Sequence, residues 1–254
     1  MTTIPKPTEA EYRQEANKYA TLSPYFVTVL YGDLGNCKTS TACSMVGERG
    51  LLLTSDNSWK VMKKPRHSAD FAKIKVVPLQ GLDQFPYLDF TGYDTIIWDT
   101  LSQSIDEFLD LLYDEADWGG KYRDKLTTKN STLKAMNIET LAPVDYRVTR
   151  DTTRPVFNKL FKETEAHIIF TSQFVDPIPG LSANQQKRPS IPQATFKIVG
   201  TRADIIAHTK LNGTKGTADV TNGLTQLGKS RLEGIQGSMD LDKFVAKYKE
   251  IVFK

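Results

Sequence analysis

The chain is poor in cysteine, carries almost no excess charge and contains no long apolar run, and each shortage removes a class of protein. Cys37 and Cys43 are the only cysteines among 254 residues, and both fall in one short segment. A disulfide framework is excluded, and a reducing, cytoplasmic setting is expected. Lysines and arginines number 33 against 30 aspartates and glutamates, a net charge of +3. No global field marks a nucleic-acid binder, so any such surface must be local. No apolar stretch reaches the roughly 20 residues that span a bilayer, and the opening MTTIPKPTEAEYRQ lacks the apolar core of a signal peptide. An unprocessed protein outside the membrane is expected. Internal repeats and low-complexity tracts are missing too.

What is present suits one sizeable α/β core: 39% of the residues are hydrophobic and 25% charged. Residues 1–24, punctuated by Pro5, Pro7 and Pro24, read as an N-terminal arm. Residues 25–231 read as the core. Residues 232–254 read as a helical tail, with Leu241, Phe244, Val245 and Tyr248 on one face for packing on the core or on a neighbouring subunit. Apolar runs at Phe26 to Tyr31, Leu51 to Thr54, Lys75 to Leu79, Thr95 to Asp99, His167 to Thr171 and Asp204 to Thr209 suit strands buried on both faces. Helical stretches separate most of them, which predicts a mostly parallel central sheet flanked by helices, with ligands at the carboxyl ends of its strands. The turn-rich NGTKGTADVTNG predicts a C-terminal antiparallel hairpin. Two long polar segments, Trp118 to Arg154 and Phe174 to Gln193, lack periodicity, and loops of that length are commonly functional.

Chemistry concentrates at FVTVLYGDLGNCKTS, where an apolar strand runs into a glycine-bearing turn and then a helix. Gly32, Lys38 and Thr39 fit the phosphate-loop pattern G-x-x-x-x-G-K-[ST], and Cys37 stands in place of its last glycine. In such a loop the backbone of Gly32, Asp33, Leu34, Gly35, Asn36 and Cys37 curves around phosphates, and the dipole of the helix opening near Lys38 adds to the cradle. Lys38 adds a point charge, Thr39 offers its hydroxyl to Mg2+, and Ser40 completes the turn. A β-carbon at Cys37 narrows the approach of the phosphates. A plain strand-to-helix turn with a surface lysine is the alternative.

Hydrolysis of ATP needs more carboxylates at the same sheet edge. YDTIIWDT ends an apolar strand in Asp99, a Walker B arrangement that reaches the Mg2+ shell; the alternative is a cap on the following helix. Asp56, after LLLTS, is the candidate to orient or deprotonate the attacking water, or else belongs to a turn. Gln173, ending HIIFTSQ, is placed to sense the γ-phosphate, or is simply a polar strand end.

Taken in order, YGDLGNCKTS, TSDNS, YDTIIWDT and HIIFTSQ resemble the RecA-like P-loop ATPase core, and most of all the compact phage ATPases of the single-strand-annealing and recombination (Sak-type) group. The resemblance covers about Tyr25 to Arg231. It implies ATP and Mg2+ as cofactors, single-stranded DNA as partner, and a homo-oligomeric ring or filament with nucleotide between subunits. It implies two DNA-facing loops, which match the two long segments. The first carries Lys121, Arg123, Lys125, Lys129, Lys134, Arg147, Arg150 and Arg154 with Trp118, Tyr122 and Tyr146; the second carries Lys187 and Arg188. Lys229 and Arg231 resemble a K-x-R finger that serves a neighbour's γ-phosphate. The family usually has Glu where this chain has Asp56. The alternatives are a helicase or packaging-type motor, and a nucleotide-gated scaffold with negligible hydrolysis.

Overall fold

The computed structural model describes residues 25–56, 59–60, 71–113, 143–175, 187–223 and 226–254. β1 (Val27–Tyr31) leads through the Gly32 turn into the short helix α1 (Lys38–Ser44), and β2 (Gly50–Thr54) and β3 (Ile74–Pro78) follow. A 3-10 turn, Leu82–Tyr87, precedes β4 (Thr95–Asp99), α2 (Leu101–Tyr113), α3 (Pro143–Glu163) and β5 (His167–Ser172). Two short strands, β6 (Phe174–Val175) and β7 (Arg188–Pro189), pair with each other. Then come α4 (Gln193–Arg202), β8 (Ile205–Asn212), β9 (Lys215–Asp219), β10 (Lys229–Ser230), β11 (Ser238–Asp240) and α5 (Leu241–Val252).

The main sheet runs β11-β9-β8-β1-β5-β4-β2-β3, with β10 on β8. From β8 to β3 all pairings along this path are parallel, and β9 and β11 add antiparallel strands at the other edge. The fold is therefore mixed α/β with a mostly parallel sheet and a C-terminal antiparallel hairpin, as the alternation of apolar runs and turn residues predicts. Asn212 pairs with Lys215 across a two-residue turn, where Gly213 takes φ 61°.

Strand alternation sorts the core into two layers. Val27, Val29, Leu51, Leu53, Ile96, Trp98, Ile168 and Phe170 face Leu101 and Ile105 of α2 and Val156, Phe157 and Leu160 of α3. Leu30, Leu52, Ile97 and Ile169 face Ala42 and Cys43 of α1 and Phe244 and Tyr248 of α5. The α5 face read from the sequence thus packs on this core.

Two expectations need correction. β3 is not buried on both faces: it closes the sheet edge, Lys75 and Pro78 are exposed, and both residue types suit an edge strand. The segment Trp118 to Arg154 is not a loop throughout, because residues 143–154 form the first turns of α3. Val156, Phe157 and Leu160, just after Pro155, pack into the core, and the proline masks the helix in the sequence. Trp118, Lys121, Tyr122, Arg123, Lys125, Lys129 and Lys134 lie outside the described residues; Tyr146, Arg147 and Arg150 fall on α3, and Arg154 on it is exposed.

Candidate phosphate-binding site

β1, β4 and β5 end together at one sheet edge, with β5 between the other two. That edge gathers Gly32 to Ser40, Asp99 and Gln173. Asp99 is completely buried, and an ionised carboxylate can stay there only if hydrogen bonds replace water. Thr39 Oγ1 donates to Asp99 Oδ2 at 2.9 Å, and Thr171 Oγ1, from β5, donates to Asp99 Oδ1. Both carboxylate oxygens are thus engaged. It is fixed between the loop helix and the neighbouring strand.

The loop itself is held by β8. Gly32 donates its N–H to the Ser172 carbonyl at 3.2 Å, and a β-carbon at Gly32 would sit 2.4 Å from the Thr209 carbonyl oxygen. Only glycine fits there. Asn36 Nδ2 donates to that same carbonyl at 3.2 Å, and Thr209 Oγ1 donates to the Tyr31 carbonyl at 3.2 Å. Gly35 takes φ 80°, and Cys37 takes φ 58°, ψ 19°, the left-handed conformation that an L side chain disfavours. A side chain at Cys37 thus carries a backbone cost of its own.

Lys38 is 7% exposed and folds back on the loop, donating to the Gly32 carbonyl at 3.0 Å and the Asp33 carbonyl at 2.7 Å. Burial pushes its ammonium below the usual lysine range, against the opposing pull of Asp99, Asp33 and Asp56. Asp33 satisfies part of the loop from within: its carboxylate accepts the Leu34 N–H at 2.9 Å and its carbonyl the Asn36 N–H at 3.2 Å. Leu34 is exposed, and Ser40 Oγ donates to the Cys37 carbonyl at 3.1 Å. The helix α1 has only seven residues, so the loop backbone and Lys38, more than a helix dipole, set the electrostatics of the loop.

Asp56 follows Thr54, which is in register with Asp99, and Thr54 Oγ1 donates to the Asp56 carbonyl at 3.0 Å. Asp56 thereby lies at the same edge, and its carboxylate acts electrostatically on Lys38. Gln173 is exposed at the tip of β5, where its N–H meets Ser102 Oγ at 3.2 Å and its carbonyl accepts the Ser190 N–H at 2.7 Å. Lys229 and Arg231 lie elsewhere, beside the amino end of β8. Lys229 Nζ donates to the Gly200 carbonyl at 3.1 Å, and Arg231 pairs with Asp204 at 3.3 Å. The structure does not bring these two to the chain's own loop.

Thr171 and Thr209 escaped the sequence reading. Each is a polar residue inside an apolar strand and fully buried, which is the one signal that could have marked them. Among the described residues no group of three or more His, Cys, Asp or Glu could hold a metal. A hydroxyl beside a carboxylate is nevertheless a donor set that fits Mg2+, which keeps waters and takes further oxygens from phosphates. Among the described residues no helix is long and apolar enough to cross a membrane.

No family model and no curated protein matches the chain. Among solved structures it is similar to the flagellar accessory protein FlaH of Methanocaldococcus jannaschii, with a TM-score of 0.42 and 14% identity over 85% of this chain and 88% of that one. A likeness that shallow carries no functional weight, and the reading of the site rests on its own residues.

Proposed function

We propose that this protein is a RecA-like P-loop ATPase of the phage annealing and recombination type, which binds single-stranded DNA as an oligomer under the control of ATP. The observation that carries the nucleotide part is the meeting of Thr39 and Asp99, at 2.9 Å, next to a buried lysine folded onto a glycine-bearing loop. A lysine with 7% exposure whose Nζ donates to the Gly32 and Asp33 carbonyls is an anion-ready cation. With polyphosphate in the loop, Lys38 exchanges the Gly32 and Asp33 carbonyls for phosphate oxygens, a stronger charge-assisted contact. Thr39 and Asp99 are the residues that would hold Mg2+, whose chemistry here is to neutralise developing phosphate charge.

Asp56 is the proposed base or water-orienting group, supported by its place at the same edge and its pull on Lys38. Gln173 is the proposed γ-phosphate sensor at the tip of the strand between β1 and β4. Lys229 and Arg231, far from the chain's own loop, are proposed to act on a neighbour's nucleotide, exchanging Gly200 and Asp204 for its phosphates on assembly. The two basic segments are the proposed contacts to single-stranded DNA.

Filter binding of single-stranded DNA with an ATP analogue and Mg2+ tests this reading. Log affinity should fall with log salt at about −0.7 per phosphate contacted. Absence of DNA binding with the analogue present would overturn the DNA assignment.

A further inference from the structure

Tyr31, the last residue of β1, directly precedes Gly32 and is fully buried. Its phenol serves two segments far away in sequence. The hydroxyl donates to the Leu227 carbonyl and lies 3.2 Å from the Lys187 carbonyl, which also accepts the Leu227 N–H at 2.9 Å. Lys187 and Gln226 form a parallel bridge beside this join. One phenolic proton thus pins two chain segments at the point where they meet.

The ring is held as firmly as the hydroxyl. It stacks on His208 with centroids 4.8 Å apart and planes 8° from parallel, and His208 in turn contacts the Phe174 ring at 5.8 Å. Lys187 Nζ lies 4.9 Å from the centroid of Phe174. Gln226 Oε1 sits 3.2 Å from His208 Nδ1 and accepts from Lys210 Nζ at 2.9 Å. Burial raises the phenol above its usual range, so it remains a donor throughout the physiological range. On the loop side, Lys38 Nζ bonds the Gly32 carbonyl, one peptide away from Tyr31.

We propose that Tyr31 is a positioning residue through which occupation of the phosphate loop tightens the join between Lys187 and Leu227, and with it the placement of β7 beside Gln173. The proposal rests on the nucleotide reading above. It uses a route separate from the Gln173 side chain: a ligand that draws Lys38 off the Gly32 carbonyl changes the restraint on the adjoining peptide, and the Tyr31 hydroxyl carries that change to the join. A buried tyrosine that merely filled space would need no such partners, and phenylalanine would replace it without consequence for the response to ligand.

Hydrogen exchange, read by mass spectrometry on the full chain with and without a non-hydrolysable ATP analogue and Mg2+, tests this. Wild type and Tyr31→Phe are compared, both saturated with analogue as verified by equilibrium binding on the same samples. Tyr31→Phe keeps the stack on His208 and removes only the hydroxyl. In wild type, exchange of the peptide containing Leu227 should slow by about threefold or more on binding, and in the variant that response should fall by at least about half. An equal response in both proteins, or no response in wild type that has bound the analogue, overturns the coupling and leaves the nucleotide site standing. Failure of wild type to bind the analogue overturns the nucleotide reading and the coupling together.

Discussion

Thr171 on β5 donates its hydroxyl to Asp99 on β4, while Thr39 holds the other oxygen of the same carboxylate at 2.9 Å. A fully buried carboxylate left with one fewer donor loses about 1–3 kcal/mol of stabilisation. Thr171→Val should raise the Mg2+ concentration needed for nucleotide binding by about tenfold, the equivalent of 1.4 kcal/mol, and Thr171→Ser should restore it. Titration of a fluorescent ATP analogue at graded Mg2+ checks this, and a serine variant as defective as the valine one would show that packing alone is at stake.

Cys37 stands in the left-handed region at φ 58°. Such a conformation costs a non-glycine residue about 1–2 kcal/mol. Cys37→Gly should therefore stabilise the loop and tighten nucleotide binding several-fold, whereas Cys37→Val, β-branched at a positive φ, should weaken it. Calorimetric titration on the three proteins would give the order Gly, Cys, Val; any other order contradicts the account of the strain.

Cys37 is half-buried in the loop and Cys43 is buried in the core. Alkylation should label Cys37 first, and Mg2+ with ATP should slow that labelling while leaving Cys43 unreacted. Labelling of Cys37 at the same rate with and without saturating ATP would place the ligand elsewhere.

His167 opens β5, and its Nδ1 accepts the N–H of Phe26, the residue before β1, at 3.0 Å. Burial lowers it to about 4, against the opposing influence of Asp94. Its folded value is below the unfolded value of about 6.5, so below that pH the unfolded chain takes up a proton that the folded chain refuses. Stability should fall as pH drops from about 6.5 towards 4, by roughly 3 kcal/mol in all from this residue. His167→Asn, which can still offer an oxygen to the Phe26 amide, should flatten that part of the curve in urea melts at graded pH.

Much of this was legible in the sequence because local pattern and tertiary role agree. Thr95–Asp99 is a buried apolar run ending in a carboxylate, and the strand has those bounds. The Gly32 to Thr39 spacing located the loop for the same reason. What stayed hidden depends on register between distant strands: Thr209 meets Gly32 because β8 runs beside β1, and Thr171 meets Asp99 because β5 runs beside β4. No local pattern reports which strands are neighbours. The start of α3 was hidden by Pro155, and the edge position of β3 by its apolar valines, Val76 and Val77.

Phosphate release from ATP with Mg2+, compared between wild type and Lys38→Ala, tests the central claim most directly. Among the described residues Lys38 Nζ donates to the Gly32 and Asp33 carbonyls of its own loop, so its loss should leave the fold intact while removing the cation that meets the phosphates. The account predicts release by wild type that falls at least about tenfold in the variant, as expected for a charge-assisted contact of 1.5–3 kcal/mol. Equal rates at background in both proteins would contradict it.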